Sequence, residues 1–139
     1  MREHIERIRV TFGDTDSTGR VYFPSYVRWL DNTFIEMLRK ADIVFSPNGG
    51  LLVCGKTLGQ TLVIGEYFCR IESPSTYDDE ILIKVSIREV RPKVLVVDAV
   101  FTRSSDGHIL GRGTISYVCV DISSGRSAEI PSEILAKLS

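Results

Sequence analysis

Four long β-rich segments in the second half of the chain constrain the fold more than any other feature. They cover residues 58–72, 80–90, 93–103 and 108–122. In residues 80–90, EILIKVSIREV, apolar and polar residues alternate, which predicts a strand with one buried face. Residues 104–107, Ser-Ser-Asp-Gly, have the composition of a hairpin turn. Strands this long exceed the usual five or six residues and must curl, so the sheet can wrap around a central element.

The best candidate for that central element is a helix over residues 24–40. Most of its positions are apolar, and its polar residues are confined to one narrow stripe. The stripe consists of Ser25, Arg28, Asn32, Glu36 and Arg39. A helix that is apolar over most of its circumference is surrounded by protein, so the sheet covers one side and a second subunit is a candidate for the rest.

The remaining segments complete an α+β pattern. Residues 4–12 alternate like a strand, residues 41–57 are expected to be a loop because they contain a Ser-Pro-Asn-Gly-Gly cluster, and residues 131–138 suggest a short closing helix. One strand, one long helix and four strands in a meander predict an antiparallel sheet with the helix packed on one face. The 139 residues are enough for one domain, so residues 1–139 are expected to form a single unit.

Composition argues against several functional classes. The formal net charge of −1 gives no electrostatic reason to expect nucleic acid or an anionic membrane as a partner. No apolar run approaches the ~18–20 residues that span a bilayer, and the N-terminus lacks the apolar core of a signal peptide, so we expect a cytoplasmic protein. The three cysteines have neither metal-site nor disulfide spacing, and no metal is expected.

The segment before the helix, GDTDSTGRVYFP, carries candidate chemistry. Pro24 suits the first helical position, which leaves Phe23 at or next to the cap with a side chain that cannot accept hydrogen bonds from the first-turn amides. Such an end attracts negative charge, and the Phe23 N–H is the strongest candidate donor. Gly19 allows the chain to reverse, so Asp14 or Asp16 can lie opposite that N–H, across a substrate carbonyl. Acyl transfer needs this combination of carboxylate and oxyanion donor.

The same residues have a purely structural interpretation. Asp-Thr-Asp-Ser-Thr-Gly is favourable loop chemistry, and acids near a helix N-terminus stabilise it by about 0.3–1 kcal/mol. Spacing alone does not separate the two interpretations.

The stretch VTFGDTDSTGRVYFPSYVRWLDNTFIEMLR resembles the signature of the hotdog-fold acyl-CoA thioesterases. It is most similar to the 4-hydroxybenzoyl-CoA thioesterase type, whose pattern is G-D-x-D-x-x-G-x-V-[WY]-[FY]-P-x-Y-x-R-W-L-D. A second match is STYDDEILIKVSIREVRPK in the middle strands, and a third, weaker one is AEIP near the end. The resemblance implies a hotdog fold, in which a curved, five-stranded antiparallel sheet wraps a long central helix. It also implies subunits paired edge to edge as dimers, often paired again as homotetramers.

The resemblance assigns the catalytic carboxylate to Asp16 and the oxyanion amide to Phe23. The implied reaction is hydrolysis of an acyl-CoA thioester to a free acid and CoA, with Asp16 as either nucleophile or general base. Coenzyme A is part of the substrate, and no metal or redox cofactor is implied. Asp14 then shapes the loop, while His4 and His108 lie outside the motif and are interpreted as surface or strand residues.

Further residues are implied in substrate binding. Gly19 and Tyr22 belong to the motif, and Tyr22 is expected to affect acyl selectivity. Asp31 matches a position associated with the acyl pocket, where a carboxylate can accept a hydrogen bond from a phenolic hydroxyl; a surface pair with Arg28 is the alternative. Basic residues for the CoA phosphates are implied at Arg91, Lys93 and Arg126, with solvated surface charge as the alternative.

These features favour a thioesterase for an aromatic or short-to-medium acyl group, as a homo-oligomer acting on an acyl-CoA. Two rival functions remain. One is a non-catalytic acyl-CoA binding or sensing module on the same fold. The other is a thioesterase for acyl-carrier protein, which needs a basic docking surface. A hotdog dehydratase is disfavoured, because it usually needs a His paired with an acid and no histidine lies near the motif.

Overall fold

The computed structural model describes residues 2–139, which contain two α-helices and eight strands. The helices are α1 (Pro24–Lys40) and α2 (Ser132–Leu138). The strands are β1 (Glu3–Arg9), β2 (Ile43–Phe45), β3 (Leu51–Val53), β4 (Lys56–Thr57), β5 (Gln60–Ile71), β6 (Glu80–Val90), β7 (Val94–Arg103) and β8 (Ile109–Asp121). The predicted helix over 24–40 is confirmed with the same bounds.

Five of the strands form one antiparallel sheet in the order β1-β6-β7-β8-β5. The predicted five-stranded antiparallel sheet is therefore confirmed. The prediction that all four long strands follow one another as a meander is wrong for β5, which pairs with β8 and not with β6. The segment 72–79 between β5 and β6 is longer than a hairpin turn, so it crosses the end of the sheet and leaves β5 at one edge.

The sheet is curved, and its concave face packs on α1. The strand register shifts between Ile64 and Glu66 in β5, and between Ile87 and Glu89 in β6. Such bulges bend a strand and increase its twist. A Cβ atom added to Gly113 of β8 would lie 3.0 Å from Leu30 Cδ1, so the absence of a side chain there lets the helix approach the sheet closely.

The core forms between α1 and this concave face. Helix residues that are buried include Tyr26, Trp29, Leu30, Phe34, Met37 and Leu38. The Phe34 ring stacks on the Tyr117 ring of β8 with centroids 4.5 Å apart. Each fully buried side chain of this size stabilises the fold by about 1.5–3 kcal/mol. The position and orientation of α1, and so of its N-terminus, are fixed by this packing.

Residues 41–57 are not the loop that the sequence suggested. They contain β2, β3 and β4, which form a second, three-stranded sheet. Ile43 and Leu51 are buried, so these short strands extend the core at the end of α1. The Ser-Pro-Asn-Gly-Gly cluster is only the turn between β2 and β3. Runs of three apolar residues are too short to show a periodicity, and for this reason the sequence did not reveal them.

The first strand is also shorter than predicted. β1 ends at Arg9, and Phe12–Asp14 forms a 3-10 turn that leads into the segment before α1. Within residues 2–139 no helix is long and apolar enough to cross a membrane. The same residues contain no group of three or more His, Cys, Asp or Glu side chains arranged to hold a metal ion.

Candidate active site

The N-terminus of α1 leaves one main-chain amide without an acceptor. The Tyr22 N–H donates to the main-chain oxygen of Asp14, at 2.7 Å, and the Ser25 N–H donates to the Tyr22 oxygen, at 2.9 Å. Pro24 has no N–H. The Phe23 N–H has no acceptor within residues 2–139. It is therefore the amide at this helix end that remains able to bind a ligand oxygen.

The conformation of Phe23 directs that amide along the helix. Phe23 has helical dihedral angles, φ −55° and ψ −34°, although a residue before proline more often adopts an extended conformation. Helical angles align its N–H with the amides of the following turn, at the positive end of the helix dipole. The Phe23 side chain is more than half exposed and makes no cap hydrogen bond. The main chain at this position is thus the polar group that faces outward.

Asp14 is buried and fully engaged in holding the preceding loop. The amide and hydroxyl of Thr11 donate to its Oδ2, at 2.9 and 2.8 Å, and Arg28 of α1 donates to its Oδ1. Burial raises the pKa of Asp14, but the Thr11 hydrogen bonds and the Arg28 charge outweigh it and hold the pKa below its ordinary value. Its carboxylate therefore anchors the 3-10 turn to the helix, and its main-chain oxygen fixes Tyr22.

Asp16 is exposed and keeps one carboxylate oxygen free. The Thr18 amide and hydroxyl both donate to Oδ1, at 2.8 and 2.5 Å, whereas Oδ2 has no partner in the described part of the chain. These Thr18 hydrogen bonds hold the pKa of Asp16 below its ordinary value, so the side chain is a carboxylate at neutral pH. Gly19, with φ +80°, makes the reversal that returns the chain to the helix.

Asp16 and Phe23 line the same cleft. The cleft has a volume of about 450 Å³ and lies between the segment before α1 and the segment that follows β5. Its other lining residues are Thr18, Arg20, Val21, Tyr26, Ile71, Glu72, Ser73, Pro74 and Ser75. A carboxylate with a free oxygen and a main-chain amide without an acceptor therefore share one solvent-accessible space. This is the combination that attack on a carbonyl requires.

Two of the predicted substrate-binding residues lie in neighbouring cavities. Tyr22 lines a cavity with Asp14 and Arg28, and Asp31 lines another, of about 310 Å³, with Val27 and Tyr67. The alternative pairing of Asp31 with Arg28 is wrong, because Arg28 binds Asp14 instead.

The actual partner of Asp31 is Tyr117 of β8, whose hydroxyl donates to Asp31 Oδ1 at 2.8 Å. Burial raises the pKa of Tyr117 well above its ordinary value, so the phenol remains a donor. Asp31 Oδ2 has no partner in residues 2–139.

The three predicted phosphate-binding residues are far from the cleft within one chain. Arg91 and Lys93 lie in the turn between β6 and β7, and Arg126 follows β8. The cleft lies at the other end of the sheet, where β5 ends and β8 begins. A strand the length of β7 separates the two ends by roughly 30 Å. Arg91 is also paired with Glu89, at 3.0 Å.

Sequence analysis missed one pair of residues at the cleft. Ser73 lines the cleft, and its Oγ lies 2.7 Å from Nε2 of His108, in the turn before β8. His108 is exposed, as expected; it does not line the cleft itself but contacts Ser73, which does. The two residues are 35 positions apart, and only the pairing of β5 with β8 brings them together. No spacing in the sequence signals this contact.

Comparison with known proteins identifies the family. A family model described as "Thioesterase-like superfamily" matches residues 10–138. Acyl-CoA thioester hydrolase YbgC of Escherichia coli is 28% identical over 133 residues, which cover 94% of this chain and 91% of that protein. A 4-hydroxybenzoyl-CoA thioesterase of a Pseudomonas species is 30% identical over 107 residues, covering 71% of this chain and 67% of that protein.

The fold has close counterparts among solved structures. The crystal structure of Slr0204, a 1,4-dihydroxy-2-naphthoyl-CoA thioesterase from Synechocystis, superposes with a TM-score of 0.84 at 16% identity, over 99% of this chain and 96% of that one. The sheet, the enclosed helix and the cleft at its N-terminus define a hotdog-fold hydrolytic domain. The chain belongs to the thioesterase-like superfamily and is a thioester hydrolase.

Proposed function

We propose that this protein hydrolyses acyl-CoA thioesters with Asp16 and the Phe23 amide as its catalytic groups. The observation that carries the proposal is the shared cleft, in which a carboxylate with a free oxygen accompanies an amide that has no acceptor. The thioester carbonyl binds with its oxygen on the Phe23 N–H and its carbon within reach of Asp16 Oδ2. Asp16 then attacks the carbon directly or takes a proton from an attacking water.

The Phe23 amide acts on the charge that develops during attack. As the carbonyl oxygen becomes an oxyanion, its hydrogen bond to this N–H strengthens. Removal of one such donor from an enzyme raises the activation free energy by about 3–4 kcal/mol. The positive end of the α1 dipole adds to the effect. These groups suffice for the reaction without a metal or an organic cofactor, and we propose that the chain acts in this way as one thioesterase domain.

The acyl group is proposed to be aromatic and to carry a hydroxyl. The cavity that holds Asp31 is lined by Pro24, Val27, Ile64 and Tyr67, which suit a flat apolar ring. Tyr117 occupies one oxygen of Asp31 and leaves the other able to accept a hydrogen bond from a ring hydroxyl. The relative from Pseudomonas is named for a 4-hydroxybenzoyl substrate, which has this chemistry. Tyr22 is proposed to border this region.

The active form is proposed to be a homodimer paired along β5, with a dimer of dimers as a further assembly. β5 is an edge strand of 12 residues that pairs with β8 on one side only. Its exposed side chains include Val63, Ile64, Tyr67 and Phe68. A long apolar edge of this kind is a template for pairing with another strand. Antiparallel pairing with a second copy hydrogen-bonds the edge and buries these side chains.

Such pairing also supplies the phosphate-binding residues. Antiparallel β5 strands bring the Gln60 end of one copy beside the Ile71 end of the other. The Gln60 end pairs with Asp121, whose N–H donates to the Arg126 oxygen, and the Ile71 end borders the cleft. Arg91, Lys93 and Arg126 of one copy are thereby proposed to bind the CoA phosphates of a substrate held by Asp16 of the other.

Replacement of Asp16 by Asn tests the catalytic assignment. We expect kcat for acyl-CoA hydrolysis, measured as free thiol released, to fall by about 10²–10⁴-fold. The thermal unfolding midpoint stays close to that of the wild type, because Asp16 is exposed. Asp42→Asn is the matched control, since Asp42 is also exposed and its left-handed conformation tolerates Asn. Full activity in Asp16→Asn would remove this carboxylate from the mechanism.

A panel of thioesters tests the substrate class and the rival functions. We expect hydroxybenzoyl-CoA to be preferred over benzoyl-CoA, and expect Asp31→Ala to reduce that preference by about 10-fold or more while benzoyl-CoA turnover changes little. Binding without thiol release would favour a sensing module. Faster turnover of the same acyl group on acyl-carrier protein would favour that carrier as substrate. Equal preference in wild type and Asp31→Ala would exclude Asp31 from acyl recognition.

A further inference from the structure

Ser73, on the wall of the cleft, forms a polar pair with His108, which lines the adjoining hollow. Ser73 is half-buried in the segment after β5 and faces the same space as Asp16 and Phe23. Its Oγ lies 2.7 Å from His108 Nε2, a hydrogen-bonding distance. The mechanism described above uses neither residue.

The pair is held in place by the hairpin between β7 and β8. The Ser73 N–H donates to the Leu110 oxygen, at 3.1 Å, and Arg103 Nη2 donates to the Pro74 oxygen, at 3.2 Å. The His108 N–H donates to Asp106 Oδ1, at 3.0 Å. The main chains of Ser73 and His108 are therefore both hydrogen-bonded to residues of this hairpin and its strands, which holds the pair in place.

The hollow that His108 lines also contains Asp106 and Arg112. Asp106 lies two residues before His108, and the His108 amide, together with Arg103, holds the pKa of Asp106 below its ordinary value, so Asp106 remains an anion. Arg112 faces the same hollow but is paired with Glu72, at 3.4 Å. Histidine is the side chain that most often accepts a proton in general base catalysis.

Hydrolysis through an acylated Asp16 has a step that needs such an acceptor. When Asp16 attacks the carbonyl, the C–S bond breaks, CoA leaves as a thiolate and Asp16 becomes part of a mixed anhydride. Asp16 can no longer take a proton from the water that must cleave this anhydride. The Thr18 hydrogen bonds also lower the basicity of the Asp16 carboxylate.

We propose that Ser73 and His108 transfer the proton of this hydrolytic water. The water donates to Ser73 Oγ, and the Ser73 hydroxyl donates to His108 Nε2. As the water oxygen bonds to the acyl carbon, its proton passes to Ser73 while the Ser73 proton passes to His108, and the anhydride C–O bond breaks to regenerate the Asp16 carboxylate. The inference rests on the proposed thioesterase function. It makes Ser73 a catalytic residue and His108 the proton acceptor behind it.

The test compares His108→Ala and Ser73→Ala with His4→Ala in the full-length protein. His4 lies on β1, at the opposite edge of the sheet from β5, and serves as the control. With benzoyl-CoA or 4-hydroxybenzoyl-CoA as substrate, we expect His108→Ala and Ser73→Ala to lower kcat by about 10²-fold. We expect Ser73→Thr to retain activity, because it keeps the hydroxyl, and His4→Ala to have the kcat of the wild type. The slow variants release one equivalent of thiol per site in a burst, because thioester cleavage precedes the impaired step.

Added bases distinguish a proton-transfer role from a structural one. In His108→Ala, imidazole and substituted imidazoles restore turnover, with rates that rise with the pKa of the base, because the reaction follows Brønsted behaviour. His108→Ala with wild-type kcat, or a slow variant with neither burst nor rescue, overturns the inference and leaves the Asp16 assignment standing. A wild-type protein that releases no thiol from any thioester overturns both.

Discussion

At the N-terminus of α1, side chains hold the preceding loop in place, and a main-chain amide is left able to bind a ligand. The Asp14 side chain binds Thr11 and Arg28, and its main-chain oxygen takes the Tyr22 amide. Pro24 has no N–H, so the Phe23 N–H is the amide of this helix end that lacks an acceptor among the described residues. Asp16 receives both of its hydrogen bonds from Thr18, which belongs to the same turn. Each acid of the motif therefore has a different environment, and only Asp16 retains an oxygen that can act in the cleft.

Thr18→Val is expected to shift the pH dependence of the enzyme. Hydrogen bonds to the charged form hold the pKa of Asp16 below its ordinary value. Loss of the Thr18 hydroxyl raises that pKa, so Asp16 becomes protonated at a higher pH and the acid limb of kcat/KM moves upward. The measurement is thiol release from a fixed acyl-CoA between about pH 3.5 and 8, well across the ordinary range for aspartate.

Thr57→Val is a suitable control for this shift, because Thr57 is exposed on β4 and lies away from the cleft. An acid limb that does not move in Thr18→Val, or that moves equally in both variants, contradicts a role for Thr18 in setting the ionisation of Asp16.

At the scale of elements, the two edges of the sheet differ in character. β1 forms one edge, and its seven residues carry five charged or ionisable side chains. β5 forms the other edge, with 12 residues and a run of exposed apolar and aromatic side chains. Charged edges resist pairing and apolar edges promote it, and this difference supports the proposed association along β5 over association along β1.

Phe68→Lys is expected to weaken the proposed dimer. Antiparallel pairing brings the two β5 strands together, and a lysine on each places like charges in the interface. Sedimentation at several protein concentrations is expected to show dissociation to monomers, with a parallel fall in kcat/KM. Ile5→Lys on β1, also an exposed apolar position, is the matched control and leaves the assembly intact. Equal sedimentation of the two variants contradicts pairing along β5.

Local patterns in the sequence predicted the long elements, but neither the short strands β2, β3 and β4 nor the order of the strands in the main sheet. The bounds of α1 and the alternation in β6 follow directly from periodicity and from Pro24. The position of β5 in the sheet does not follow from local patterns, because pairing between distant strands depends on the packing of the whole core. Asp16 and Phe23 lie in one continuous motif, so the sequence could suggest them together, whereas Ser73 and His108 become neighbours only through that strand order.

At the scale of the whole molecule, the residues proposed to act on acyl-CoA are divided between two ends of the sheet of one chain. The cleft contains the reacting groups, while Arg91, Lys93 and Arg126 lie at the far end of the same sheet. Within the cleft, Arg20 is the only arginine or lysine among the lining residues of the described chain. A nucleotide carrying several phosphates needs more positive charge than this, and the proposed dimer provides it from the second copy.

Two inactive variants are therefore expected to complement each other. One carries Asp16→Asn, and the other carries Arg91→Glu, Lys93→Glu and Arg126→Glu. After random exchange of subunits, about half of the dimers contain one copy of each variant. Each mixed dimer has one site that carries both sets of substitutions and one site that carries neither. About a quarter of all sites are therefore expected to have wild-type residues and to regain activity. Thiol release is measured before and after mixing. Activity that stays at the average of the two variants contradicts a site shared between copies.

The Phe23 amide has an evolutionary consequence. A hydrogen-bond donor that belongs to the peptide backbone survives every single substitution at its own position except proline. The side chain at position 23 can therefore change in descendants of this protein while they inherit the proposed oxyanion donor unaltered.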